Sequence, residues 1–334
     1  MEFNQITCFD GKHKFVVDKP IRLIELFGGL GCQSSALEKL NVSFEHYRMC
    51  DIDKFAVETY NALHGTNFIP TDITKLNAKD LGIIETNKYC YVMTYSFPCT
   101  DLSKAGNQAG MNRASGTQSS LLWEVDRLLK NCAELPQVLL LENVPGILNK
   151  KNILDFAEWQ KTLEGLGYKN YWQVLNSKDY GIPQNRERFF MVSLLGDYYY
   201  NFPQPFELQL KFKDMLEIKV DKKYFLSNKY QKKFNGKYIE AFGKRKNQSN
   251  TVYFDSDITS RTLCASDHKR PVLIQVNNKI RRLTPKEYWR LMGLTDEQFK
   301  SAKESGISNL QLYKQAGNGI VVNVLIEIFK KLIQ

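Results

Sequence analysis

Through the first half of the chain, short apolar runs alternate with segments of helical spacing. "IRLIELF" is followed by "GCQSSALEKL", "YRMCDID" by "KFAVETYNALHG", and "YCYVMTYS" by "SLLWEVDRLLKNCAEL". "QVLLLENV" is a further apolar run, "NILDFAEWQKTLEGLGY" predicts a helix ended by Gly165 and Gly167, and "RFFMVSLL" predicts another strand. Alternation of this kind predicts an α/β domain, a mostly parallel sheet with helices on both faces. After Gly196 the character changes, because "DYYYNFPQPFE" carries two prolines and no clear period. Regular pattern returns at "LTPKEYWRLMGL", a predicted helix with Thr284 as cap and Pro285 in its first turn. The last run, "GIVVNVLIEIFKKLI", reads as an amphipathic helix.

At 334 residues the chain suits one large domain plus a smaller one. A formal net charge of +10 and a sequence pI near 9.1 favour a polyanionic partner. A merely soluble basic protein would have the same balance, so the position of the charge matters more. Between Lys211 and Asn250 stand twelve Lys and Arg against four Asp and Glu, a surplus of eight. Tyr224, Phe225, Tyr230, Phe234, Tyr238 and Phe242 are interleaved with them. Basic groups neutralise phosphates, and aromatic stems pack beside them. The seven cysteines form no CxxC pair, so neither a metal site nor a disulfide framework is signalled. The first twenty residues show no apolar core of signal-peptide type. Glu142, Asn323 and Glu327 break the longest apolar runs, which excludes a membrane span and predicts a reducing, cytoplasmic setting.

"IELFGGLGC" sets a glycine-rich turn directly after the first strand, where backbone can approach a nucleotide closely. The full GxGxxG spacing is absent, so the turn alone is a weak signal. About twenty residues on, "MCDID" ends the next strand with Asp51, suitably placed to hold the hydroxyls of a ribose. Asp72, in "PTDIT", could hold an adenine amino group by the same logic. These features leave NAD and S-adenosylmethionine both open.

In "YSFPCTDLSKAGNQAGM", Cys99 follows a proline where an apolar pattern stops. A thiol attacks only as thiolate, so a reactive cysteine belongs at an exposed strand end. Pro98 fixes its own φ and restricts its predecessor, giving a rigid lead into the turn. Gly106, Gly110 and Gly116 suit the next segment to act as a lid. On this stretch alone a packed thiol and a nucleophile remain equal readings. "LLLENVPGIL" closes a buried strand with Glu142, whose burial would raise its pKa and fit it to donate a proton. "PQNRERFF" adds Arg186 and Arg188, two apart on an extended strand and each able to bind a carboxylate or carbonyl through its fork.

Taken together, "ELFGGLG", "DIDKFAVETYN", "SFPCTDLS", "GTQSSLLWEVDRLL", "LLLENVPGIL", "QNRERFFMV", "RRLTPKEYWRLMG" and "QAGNGIVVNVL" make a set of eight motifs in order over nearly the whole chain. In this the chain resembles the DNA cytosine-5 methyltransferases of bacteria and their phages, small enzymes with short targets. The resemblance implies a Rossmann-like class I methyltransferase sheet with a smaller, basic target-recognition domain. Residues 1–195 and 280–334 would form the first and residues 196–279 the second. It implies that Cys99 adds to carbon 6 of a flipped-out cytosine while Glu142 engages ring nitrogen 3, with Arg188 holding Glu142 and Arg186 assisting. For S-adenosylmethionine it implies Phe27 against adenine, Gly28, Gly29, Leu30 and Gly31 in the turn, Asp51 at the ribose, Asp72 with Ile73 at the base, and Ile52 in the same pocket. Pro98 and Asn318 would complete that pocket.

Double-stranded DNA with a recognition site of about four to six base pairs is the implied partner. Ser103, Arg261 and Thr262 are the candidate DNA contacts, with Arg245 and Lys246 weaker ones. A monomer, with a cognate restriction endonuclease as a further partner, completes the implied picture. The chain departs from the family at Thr100, where glutamine is common, at Asp51 in place of glutamate, and at Gly319 in place of serine. Three rivals are a transfer-RNA methylating relative, whose Cys-Phe-Thr signature is absent, an NAD-dependent dehydrogenase, and a non-catalytic DNA-binding protein.

Overall fold

Six apolar runs form one sheet because each can be covered on both sides. The strands are β1 (Ile21–Leu26), β2 (Phe44–Cys50), β3 (Cys90–Tyr95), β4 (Val138–Asn143), β5 (Tyr168–Asn176) and β6 (Glu187–Leu195). These come from a computed structural model that describes residues 12–103, 106, 108–229, 231, 252–254 and 256–333. Tyr230, Phe234, Tyr238, Phe242, Arg245 and Lys246 of the basic segment lie outside the described residues. The chain divides into two compact units: Met1–Asn176, Glu187–Pro205 and Val322–Gln334 in the first, Ser177–Arg186 and Phe206–Val321 in the second.

In the first unit the sheet order is β2-β1-β3-β4-β6-β5. β2, β1, β3 and β4 are parallel, while β6 runs against both of its neighbours. This is the class I arrangement that the resemblance implies, with the helices α1 (Cys32–Lys39), α2 (Lys54–His64), α3 (Leu122–Lys130) and α4 (Ile153–Gly165) between strands. Side chains alternate along each strand. Ile24, Met93, Leu139 and Met191 enter one core with Leu128 of α3 and Trp159 of α4. The alternate positions Leu23, Val92, Leu140 and Val192 are equally buried, which is why the strands read as unbroken apolar runs. Helix α1 packs against the C-terminal helix Val322–Ile333. Strand β5 goes unseen in the hydrophobic pattern because it is an edge strand whose middle residues are only half-buried.

The second unit is built on a three-stranded sheet, β7 (Val252–Phe254), β8 (Leu273–Val276) and β9 (Lys279–Arg282). Helices α5 (Pro285–Arg290), α6 (Asp296–Glu304) and α7 (Asn309–Asn318) follow. The expected boundary at residue 280 differs from this division into compact units. It falls within the β8–β9 hairpin, whose Asn277 and Asn278 both hold positive φ, 49° and 61°, as a two-residue turn of that kind requires. Residues 280–321 therefore belong with the second unit rather than the first. Thr284 does cap α5, accepting from the Glu287 amide at 3.2 Å. The buried Glu287 carboxylate meets Arg281 through two bonds of 2.7 and 2.8 Å, which satisfies two charges that burial would otherwise penalise by several kcal/mol each (about).

Candidate active site

Parallel strands deliver their carboxyl ends to one edge, where α/β sheets hold their ligands. Pairing aligns Leu26 of β1 with Tyr95 of β3, and Tyr95 with Leu141 of β4. The Phe27 turn, the Ser96–Cys99 turn and the Glu142–Asn143 pair therefore stand side by side. Asn143 donates from Nδ2 to the Phe97 carbonyl at 3.0 Å, fastening the second to the third.

Cys99 is the one exposed residue among the described cysteines. Burial pushes the thiols of Cys50 and Cys90 up to about 12 and that of Cys132 to about 11. Those three stay protonated at neutral pH and are poor nucleophiles, so the packed-thiol reading fits them and not Cys99. The Cys99 carbonyl accepts from the amides of Leu102 and Ser103 at 3.0 and 2.9 Å. Buried Asp101 and Ser119 form a latch beneath this turn. The Ser119 amide donates to Asp101 at 3.1 Å, and the Ser119 hydroxyl donates to the Pro98 carbonyl at 2.7 Å. The latch was not foreseen in the sequence, and its only signal there is the motif "GTQSSLLWEVDRLL". Gly110 and Gly116 of the expected lid have positive φ, while residues 104, 105 and 107 lie outside the described ones.

The antiparallel β4–β6 ladder places Arg188 beside Glu142. Glu142 pairs with Phe190, so Arg188, two residues before Phe190, projects on the same face as a diagonal neighbour. Its Nε lies 3.2 Å from Glu142 Oε1, and both side chains are largely buried, 15% and 10% exposed. A carboxylate buried alone would cost several kcal/mol, so the guanidinium is what lets Glu142 sit at a strand end with little water.

Arg186, expected to assist, is placed differently from Arg188. It precedes β6 rather than sharing the strand with Arg188, and belongs to the second unit. There it is 2% exposed, and its guanidinium donates to the carbonyls of Leu263, Gly317 and Gly319 at 2.7, 3.0 and 2.7 Å. Arg261, expected at DNA, is engaged through a two-pronged pair with Asp267 at 2.8 and 3.1 Å. The Thr262 hydroxyl donates to the Asn185 carbonyl at 2.8 Å, so a phosphate contact through that proton would break an existing bond.

The first turn fits a nucleotide cofactor. Asp51 ties β1 to β2 by accepting from the Gly29 amide at 2.9 Å and the Asp53 amide at 2.8 Å. A carboxylate so placed, with about four acceptor sites, is of the kind that holds a diol. Gly29 has φ +58° and open space where a Cβ would stand. Phe27, a non-glycine, holds φ 57°, a conformation costing about 1–2 kcal/mol of the kind that gathers at functional turns. Ile52 next to Asp51 is 70% exposed, an apolar side chain suited to cover a base. Asp72 is held below the usual carboxylate range by the Thr74 hydroxyl, which donates to it at 2.8 Å. Ile73 is buried in the core, so only its backbone could serve a cofactor. Pro98 is half-buried, and Asn318 is exposed at the end of α7 in the second unit.

Residues 21–334 match the family model for C-5 cytosine-specific DNA methylase. The type II methyltransferase M2.ScrFI of Lactococcus lactis subsp. cremoris is 34% identical, over 93% of this chain and 99% of its own. The orphan methyltransferase M.SssI of Spiroplasma monobiae is 30% identical, over 94% and 97% respectively. The crystal structure of S. pombe Dnmt2 methyltransferase superposes with a TM-score of 0.73 at 21% identity, covering 93% of this chain and 97% of that one. Entamoeba histolytica methyltransferase EhMeth superposes at 0.77 with 17% identity, over 94% and 98%. At these identities the two structures speak for the fold.

Proposed function

From the premise that the chain belongs to the C-5 cytosine-specific DNA methylases, and so is a sequence-specific DNA cytosine-5 methyltransferase, we propose that Cys99 is its nucleophile, Glu142 its acid and Arg188 the group that holds the acid. The observation that carries this assignment is an exposed cysteine on the turn that follows β3, a turn fastened to β4 through Asn143, with a guanidinium-paired carboxyl at the end of β4. Carbon 5 of cytosine is a poor nucleophile. Sulfur of Cys99 bonds to carbon 6, and the ring π electrons move toward nitrogen 3, where Glu142 supplies a proton or hydrogen bond. Carbon 5 is then an enamine carbon able to take an electrophile. S-Adenosylmethionine, when bound, supplies a sulfonium methyl group; Phe27, Gly28, Gly29, Asp51, Ile52 and Asp72 are the residues to hold it. Loss of the carbon 5 proton to a base returns the electron pair, breaks the carbon–sulfur bond and frees Cys99. None of this is possible in a stacked duplex, so the cytosine is flipped out before reaction.

The second unit, with the basic segment, is the part to read a short duplex site. A monomer acting in the bacterial or phage-infected cytoplasm, paired with a cognate endonuclease or serving phage self-protection, is the setting this reading carries. Methyl transfer from labelled cofactor to duplex DNA, wild type against Cys99→Ala, tests it. The variant should lose all transfer and all covalent trapping on 5-fluorocytosine DNA while melting as wild type does. Trapping that survives in Cys99→Ala, or labelling of RNA in place of DNA, would overturn it.

A further inference from the structure

Glu38 of α1, His46 of β2 and His64 of α2 converge behind the glycine-rich turn, and the reaction uses none of them. Their nearest oxygen and nitrogens all lie within 4.8 Å of one another. Glu38 Oε1 is 2.6 Å from His64 Nδ1 and 3.7 Å from His46 Nε2.

The outer nitrogens of both rings are already assigned. His64 Nε2 lies 3.2 Å from the Leu30 carbonyl oxygen, which can only accept, so Nε2 carries the proton. His46 Nδ1 lies 3.1 Å from each of the Ser34 and Tyr60 hydroxyls. Both hydroxyls donate to buried Glu25 Oε2 at 2.6 Å, which leaves them lone pairs to offer His46. Its Nδ1 is thus taken up by the two hydroxyls, and its Nε2 faces Glu38. One nitrogen of each imidazole and a carboxylate oxygen thus face one another from three separate elements. Such a set can hold a cation.

We propose that Glu38, His46 and His64 bind a divalent transition ion of the zinc class. Two imidazoles and a carboxylate are a familiar set for this ion, and tetrahedral bonds of about 2.0–2.1 Å put ligand atoms about 3.3 Å apart, between the two separations seen here. Each imidazole turns its second nitrogen to a carbonyl or hydroxyl, the outer support that fixes ligating histidines. Glu38, the most exposed of the three, opens the cluster to solvent and leaves a fourth position for water. Bound there, the ion would lock His64 and through it the Leu30 carbonyl, so the site would stiffen the turn that carries Gly29 and Gly31.

Optical titration of the metal-free full-length protein with Co²⁺, followed by Zn²⁺, tests the proposal. One equivalent of Co²⁺ should bind with the visible absorption of a four- or five-coordinate nitrogen–oxygen site, without a sulfur-to-cobalt band, and Zn²⁺ should displace it. Glu38→Gln and His46→Gln should each weaken binding by about 10–100-fold or more, while Cys99→Ser should titrate as wild type. Glu38 is on the surface, so its variant should melt as the parent does and keep the comparison fair. Absence of stoichiometric Co²⁺ binding would mean that a proton alone fills the cluster and would overturn the proposal. So would a thiolate band, or unchanged binding in the two variants.

Discussion

Replacing Arg186 by Met keeps most of the aliphatic stem and deletes three charge-assisted bonds, to Leu263, Gly317 and Gly319. Each bond from a charged donor contributes about 1.5–3 kcal/mol net. The sum is an upper limit, because removing the charge also ends its own desolvation cost and the freed carbonyls can find water. Leaving three carbonyls without this donor, at about 1–3 kcal/mol for each that stays unsatisfied, is expected to cost about 3–5 kcal/mol in all. For a unit of this size that is a fall in melting midpoint of roughly 6–20 °C. Amide exchange should quicken around Leu263 and Gly317–Gly319 while the amides of β1, β3 and β4 keep their protection. Methyl transfer measured well below the new midpoint should survive. A variant that melts within about 1 °C of wild type yet has lost its chemistry would refute this reasoning and return Arg186 to the reaction.

Three other outcomes are expected. Arg188→Ala should reduce single-turnover methyl transfer by about 10²–10⁴-fold, with Arg188→Lys restoring only part because a point charge replaces a fork; wild-type rates in the alanine variant would remove Arg188 from the site. Gly31→Ala demands φ +79° of a residue with a Cβ and sets that carbon 2.3 Å from His64 Nε2. It should lower the melting point by more than the conformational cost of about 1–2 kcal/mol alone and abolish cofactor binding by calorimetry. Ser119→Ala frees the Pro98 carbonyl and should cost about 1–3 kcal/mol, with kcat falling more than KM changes if the latch holds the Cys99 turn in place.

Strands buried on both faces were legible because nothing charged interrupts "CYVMTY" or "VLLL". Their termini were legible for the same reason: Cys99 and Glu142 stand where the apolar run gives out. Arg186 and Arg188 could not be told apart by spacing, since only the β4–β6 ladder decides which of them meets Glu142. The expected boundary at residue 280 and the division into compact units differ because residue 280 lies in the second strand of a hairpin, which no break in hydrophobic pattern marks. Glu38, His46 and His64 come from three elements and share no motif, so no linear pattern could have paired them.

A strand laid against the grain of its neighbours starts where they finish. β6 therefore contributes its first residues to the same rim to which β4 contributes its last, and the distance between acid and cation is written in a ladder of backbone pairs, not in the length of any loop. Insertions into the connections on either side would leave Glu142 and Arg188 where they are. A slip of a single rung would turn one of them to the opposite face, and the enzyme would keep its shape while losing its reaction.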